Sequence, residues 1–146
     1  MRRVLSAAVL TLLAACASPL ATREPGLRVR TDQRVYALPA GNGPGATVTF
    51  TVQNTTGSPM FLIPCGSVPT AVVERRDGLS WTVVSSGYCP LAVYTGPLEL
   101  APGETLTGTV LTERAAGTYR IRVPLADWEG SVSATSPTFE VRWSDG

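Results

Sequence analysis

Three cysteines, Cys16, Cys65 and Cys89, are the residues of this chain best suited to covalent chemistry. Histidine is absent from all 146 residues. A serine or cysteine nucleophile therefore has no imidazole base, and a zinc ion has no imidazole ligand. A thiolate can still be alkylated, form a disulfide or bind a soft metal. We therefore expect no enzymatic activity and no metal or other cofactor, apart from lipid attached covalently to one cysteine.

Cys16 stands at the end of a sequence with the features of an export signal. Arg2 and Arg3 precede an apolar run over residues 4–13, and Leu-Ala-Ala comes directly before the cysteine. A run of about ten residues has the length of a signal-peptide core and is too short to span a bilayer, which takes roughly 20. The segment resembles the lipobox of bacterial lipoproteins. That resemblance implies a signal peptide over residues 1–15 and a diacylglyceryl group on Cys16; the alternative is an ordinary secretory signal.

The residues after Cys16 predict where the protein lies. Ala17 replaces the aspartate that retains many lipoproteins in the inner membrane, which favours the outer membrane where the organism has one. Residues 16–26 are interpreted as the lipidated cysteine and a tether, and residues 27–144 as the folded domain. Ten extended residues reach at most about 35 Å. We therefore expect a cell-envelope protein, anchored outside the cytosol and held close to its membrane.

Cys65 and Cys89 form an even pair once Cys16 is assigned to the lipid. In an oxidising compartment such a pair predicts a disulfide, which would stabilise the fold by roughly 3–4 kcal/mol. Two alternatives remain, a copper(I) site with Met60 nearby and a redox dithiol. The wide spacing of the two cysteines disfavours the dithiol.

Alternating apolar and polar residues predict an all-β domain. Val48, Phe50 and Val52 share one face of a predicted strand, and residues 119–123 and 139–143 alternate in the same way. The chain holds 14 glycines and 12 prolines. Asp77-Gly78 marks a hairpin turn, and Ala101-Pro102-Gly103-Glu104 marks another turn. Seven or eight such strands indicate an antiparallel sandwich. A closed barrel is the alternative.

Four stretches extend this prediction through a resemblance: VTFTVQNTTGSP, ERRDGLSW, LAPGET and GTYRIRV. Together they resemble the small immunoglobulin-like domains of bacterial envelope lipoproteins, including those similar to the BsuPI family of proteinase inhibitors. The resemblance implies an immunoglobulin-like sandwich in which the hydroxyl of Tyr119 bonds back to the preceding connection. We also read Asn54-Thr55-Thr56 as a turn rather than as a glycosylation site. No inhibitory loop can be carried over onto this chain.

Outward-facing arginines are the first candidate binding residues. If the first, penultimate and last strands are neighbours in one sheet, five arginines form a basic face suited to phosphate or carboxylate groups. The alternative is a solvated face with cross-strand ion pairs. The five are Arg28, Arg30, Arg120, Arg122 and Arg142.

Two loop regions supply further candidates. The segments 64–70 and 87–96, joined by the predicted disulfide, place Tyr88 and Tyr94 where a partner would bind. Asp127-Trp128-Glu129 pairs two carboxylates with an aromatic ring, but one such loop does not make a glycosidase site. A packing tryptophan is the favoured interpretation.

The charge balance limits the partners. All twelve basic residues are arginine against eleven acidic ones, and loss of Arg2 and Arg3 with the signal leaves ten against eleven. This balance does not favour nucleic acid. We expect a membrane-anchored, non-enzymatic module that binds an envelope protein or an anionic envelope component. The alternative is a proteinase inhibitor that acts through the disulfide-tied loops.

Overall fold

The computed structural model describes residues 26–86, 96–126 and 132–144, and none of these residues is helical. Thirteen short strands make up this part of the chain. They are β1 (Leu27–Thr31), β2 (Val35–Leu38), β3 (Thr47–Asn54), β4 (Met60–Leu62), β5 (Pro64–Cys65), β6 (Val68–Pro69), β7 (Val72–Asp77), β8 (Ser80–Ser86), β9 (Leu98–Leu100), β10 (Thr105–Leu111), β11 (Gly117–Pro124), β12 (Ser133–Thr135) and β13 (Phe139–Trp143).

Two main sheets enclose the core. The smaller sheet has the strand order β1-β3-β10, and the larger has the order β2-β13-β11-β7-β8, with β12 also paired to β11. Strands β4 and β9 form one additional pair, and β5 and β6 form another. All these pairings are antiparallel except that of β13 with β2. The predicted all-β, antiparallel sandwich is confirmed.

The core is built by the alternation seen in the sequence. Val48, Phe50 and Val52 on β3 are each no more than 1 % exposed, as predicted. Ile121 and Val123 on β11 are fully buried. A strand places alternate side chains on opposite faces, so one face of each strand meets the opposite sheet and the other remains polar.

The predicted turn after β3 is held by the side chain of Asn54. Its amide group donates to the carbonyls of Ser58 at 2.8 Å and Leu100 at 2.9 Å. Its oxygen accepts from the backbone N–H of Thr56 at 2.9 Å and from the hydroxyl of the same residue at 2.7 Å. Asn54 is fully buried, so this side chain ties the turn to β9.

Two further turns and the tyrosine corner agree with the sequence. Gly78, with φ of 58°, opens the β7–β8 hairpin, and Gly103, with φ of 79°, lies in the turn before β10. Glycine suits both positions because a side chain disfavours positive φ. Tyr119 is buried and its hydroxyl donates to the carbonyl of Ala115 at 2.7 Å. The predicted corner contact is therefore present.

The strand count exceeds the predicted seven or eight because several strands are interrupted. β12 and β13 both pair with β11, on either side of a break at residues 136–138. At this break the hydroxyl of Ser136 accepts from the N–H of Ile121 at 3.0 Å, while the N–H of Ser136 donates to the Ile121 carbonyl at 2.8 Å. The Ser136 hydroxyl thus provides an acceptor for a β11 backbone N–H at the point where the strand bends.

Candidate functional site

The five predicted arginines do not share one sheet, and that prediction was wrong. Arg28 and Arg30 lie on β1 in the smaller sheet, whereas the other three lie on β11 and β13 in the larger sheet. The cause is the path of the chain after Thr31. It crosses to the larger sheet, where β2 rather than β1 pairs with β13.

Arg120 and Arg122 are committed to an internal ion-pair network. Each donates its Nε–H to the buried carboxylate of Glu74 on the neighbouring strand, at 2.7 Å. The guanidinium of Arg120 also lies 4.2 Å from the ring centroid of Trp81. Burial opposes ionisation of Glu74, but the hydrogen bonds and charges of the two arginines outweigh it, and the pKa of the carboxyl lies below its ordinary value. This is the cross-strand alternative rather than an open basic face.

Arg142 is also engaged within the protein. Its Nε–H donates to Glu140 at 2.8 Å, in a pair whose side chains are 65 % and 48 % exposed. So exposed a pair contributes little to stability, but it neutralises the charge. Each of the three predicted arginines on the larger sheet therefore already pairs with a carboxylate of the protein.

The remaining described arginines separate into two groups. Arg75 pairs with Glu113, Arg76 donates to a backbone carbonyl at 3.2 Å, and Arg114 donates to carbonyls of the loop before β3. The side chains of three others make no hydrogen bond or ion pair with the described residues. They are Arg28, Arg30 and Arg34.

All three of these arginines line one groove, which we call the arginine groove. It lies between the β1–β2 segment and residues 135–138, and consists of two adjoining cavities of about 430 Å³ and 640 Å³. Arg28 and Arg30 line the first cavity, and Arg30 and Arg34 line the second. Arg30 and Pro137 belong to both, so the groove is elongated, and the described residues of its lining include no carboxylate.

Alternation along β1 explains the position of the first two arginines. Leu27 and Val29 are 5 % and 3 % exposed and anchor the strand in the core. Arg28 and Arg30 are therefore directed outward, and their α-carbons lie about 6.7 Å apart, as for any alternate residues of a strand.

A hydrogen-bonded loop places Arg34 beside them. The hydroxyl of Tyr36 donates to Asp32 at 2.5 Å and accepts from the N–H of Gln33 at 3.1 Å. Burial, followed by the bond to Asp32, raises the pKa of Tyr36 to about 12, so the phenol keeps its proton at neutral pH. The N–H of Glu140 donates to the Arg34 carbonyl at 2.8 Å. Asp32, the nearest acidic residue in the sequence, is thus already hydrogen-bonded.

Arg34 was missed by sequence reasoning because it lies between two strands rather than on one. Its spacing from Arg30, across a short polar connection, is the one signal that could have indicated it.

Several predicted site residues lie outside the described residues. These are Cys16, Tyr88, Cys89, Tyr94 and the segment Asp127-Trp128-Glu129. Cys65 is described, on β5, where it is partly buried. The disulfide, the loop surface and the lipid attachment therefore stay predictions.

The described residues lack two further kinds of functional feature. No group of three or more residues of the metal-ligating types is assembled there. The same part of the chain also holds no helix with the length and apolarity needed to cross a bilayer.

Comparison with known proteins identifies the class of fold. No protein-family model and no curated protein matches this chain. Among solved structures, the chain is similar to the X-ray structure of a Northeast Structural Genomics Consortium target, SoR45, with a TM-score of 0.50 and 14 % sequence identity. The match covers 84 % of this chain and 90 % of that one. At this identity the likeness supports the β-sandwich fold alone.

Proposed function

We propose that this protein is a membrane-anchored envelope lipoprotein whose β-sandwich is a non-enzymatic binding module for an anionic envelope component. The arginine groove is the observation that carries the proposal. Of the nine arginines described, the three whose side chains have no acceptor among the described residues all line this one groove. Guanidinium groups form strong paired hydrogen bonds with phosphate and carboxylate oxygens.

The position of the groove relative to the anchor supports an envelope ligand. β1 begins at Leu27, eleven residues after Cys16. A lipid on Cys16 would hold the groove within about 35 Å of the membrane. Tethering of this kind raises the effective concentration of a ligand that is also fixed at the membrane, so weak contacts to each anionic group suffice.

The anchor is tested by labelling cells with radioactive palmitate. The wild-type protein should incorporate label and Cys16→Ala should not, because the thiol that forms the thioether is gone. Cys65→Ala is the matched control and should keep its label. Label on Cys16→Ala, or none on the wild type, would remove the lipoprotein part of the proposal.

The groove is tested by titrating the full mature protein, in neutral detergent, with sodium pyrophosphate. Arg28→Gln with Arg30→Gln should weaken binding at least tenfold, because two guanidinium contacts are lost. The matched control is Arg76→Gln with Arg142→Gln, two exposed arginines of the larger sheet. Wild-type affinity should fall as salt rises, since the contacts are ionic. Equal affinities for the two double variants would refute the groove as the binding site.

A further inference from the structure

The outward face of the smaller sheet continues the arginine groove as a surface of uncharged hydrogen-bonding groups. On β3 this face carries Gln53 and three threonines, and on β10 it carries three more threonines and Leu111. We call the six threonines and Gln53 the threonine platform. The threonines are Thr47, Thr49, Thr51, Thr105, Thr107 and Thr109.

Strand register sets the platform directly beside the arginines. Arg28 lies opposite Gln53, and Gln53 lies opposite Thr105. Arg30 lies opposite Thr51, which in turn lies opposite Thr107. Two rows therefore cross the sheet, each with an arginine at one end and neutral groups at about 4.8 Å and 9.6 Å from it.

The platform has hydrogen-bonding capacity that the described residues do not use. None of its side chains makes a hydrogen bond to another of the described residues. Each threonine hydroxyl can donate one bond and accept two, and the glutamine amide does both. Leu111, a large apolar residue on the same face, is 46 % exposed.

We infer that the ligand of the arginine groove is an acidic glycan, a polysaccharide that carries carboxylate or phosphate groups. The inference rests on the proposed function and deepens it. The arginines would bind the anionic substituents, and the threonine platform would exchange hydrogen bonds with sugar hydroxyls. Because the rows repeat about every 6.7 Å along the strands, the surface suits a polymer with repeating units better than a single small anion.

A lipid headgroup fits the same surface less well. Headgroup phosphates would use the arginines and leave the threonine platform without a role. Faces that bury themselves in a bilayer carry a band of exposed apolar and aromatic side chains. The described part of this face has threonines and a glutamine in that place.

The test compares four probes on the full mature protein in neutral detergent. The probes are alginate oligosaccharides as the acidic glycan, dextran as the neutral glycan, sodium pyrophosphate as an anion without hydroxyls, and glycerophosphoglycerol, the deacylated headgroup of phosphatidylglycerol, as the lipid source. The variant Thr51→Val with Thr107→Val removes two hydroxyls and keeps the side-chain shape. The matched control, Thr82→Val with Thr118→Val, makes the same change on the larger sheet.

We expect alginate to bind the wild-type protein and dextran not to bind it measurably. Thr51→Val with Thr107→Val should weaken alginate binding about tenfold, the loss expected for two neutral hydrogen bonds, and leave pyrophosphate binding unchanged. The control pair should change neither affinity.

The outcomes separate this inference from the proposed function. If the two valines leave alginate binding unchanged, or if glycerophosphoglycerol binds and alginate does not, the glycan inference is overturned while the groove stands. If dextran binds as well as alginate, charge has no role and the inference also fails. If Arg28→Gln with Arg30→Gln changes binding of none of the probes, the proposed function itself is wrong.

Discussion

Replacing Asn54 by aspartate changes the side-chain amide nitrogen to an oxygen and leaves the size of the side chain almost the same. In the native protein this nitrogen donates to the carbonyls of Ser58 and Leu100, at 2.8 and 2.9 Å. An ionised aspartate would place a second negative oxygen against those two acceptors. The residue is fully buried, so water cannot take the place of the lost donor to the Leu100 carbonyl.

The expected cost follows from these two contacts. Leaving a buried polar group without its partner costs about 1–3 kcal/mol, and the Leu100 carbonyl loses its donor in the interior. The Ser58 carbonyl loses less, because it also lies 2.8 Å from the hydroxyl of Thr56 and Ser58 is exposed. We expect Asn54→Asp to lower the free energy of unfolding by about 3 kcal/mol at pH 7. For a domain of this size that corresponds to a fall of about 10 °C in Tm.

The loss should depend on pH, with a sign that the environment determines. Facing two carbonyl oxygens raises the pKa of the introduced carboxyl above its ordinary value of about 3.9. As pH rises from about 4, the unfolded chain loses this proton first, so the variant loses stability. The gap between Asn54→Asp and the wild type should therefore be smaller at pH 4 than at pH 7, because the protonated carboxyl can donate one hydrogen bond.

Urea denaturation followed by circular dichroism measures both effects. Asn42→Asp is the matched control, because Asn42 is exposed and makes no hydrogen bond to the described residues. It should change stability by less than about 0.5 kcal/mol. If Asn54→Asp were as stable as Asn42→Asp at pH 7, the side chain of Asn54 would not hold the turn as argued.

Three further predictions concern the core, an ion pair and the tyrosine corner. Gly108→Ala places a methyl group 2.6 Å from the ring of Phe50 and should cost about 1–3 kcal/mol in urea denaturation; Gly57→Ala, which meets nothing within 4 Å, should be near neutral. Glu74→Gln should destabilise at pH 7. The folded pKa of Glu74 lies below its ordinary value of 4.5, so the stabilisation by this carboxylate is complete above that value and is lost as pH falls through the folded pKa. The difference in unfolding free energy between Glu74→Gln and wild type should therefore be smaller at pH 3 than at pH 7. A difference that stayed constant would contradict the ion-pair argument. Tyr119→Phe removes the bond to the carbonyl four residues earlier and should lower Tm by several degrees, for about 1 kcal/mol; an unchanged Tm would count against the corner.

Much of the fold could be predicted from local patterns. Strict alternation located the buried face of β3 and β11, and Asn-Thr-Thr, Asp-Gly and Pro-Gly located three turns. These features depend on neighbouring residues only, because side-chain direction in a strand and backbone angles in a turn are local properties.

The candidate site was predicted in part. Arg28 and Arg30 were identified as outward-facing residues, and they line the arginine groove. Arg120 and Arg122 were identified by the same rule, yet Glu74, 46 and 48 residues away, accepts a hydrogen bond from each. Alternation tells which face a residue occupies and does not tell which charged residue a neighbouring strand brings to it.

The sequence alone therefore determined the local properties of this protein: strands with one apolar face, turns at Asn54 and Gly78, and the corner at Tyr119. The tertiary structure decided which strands became neighbours. After Thr31 the chain crosses from one sheet to the other, and this crossing separates β1 from β13. The packing of the whole core determines this long-range pairing. It gives the arginines of β11 and β13 carboxylate partners, whereas the side chains of those beside the groove have none within the part of the chain that the structure describes.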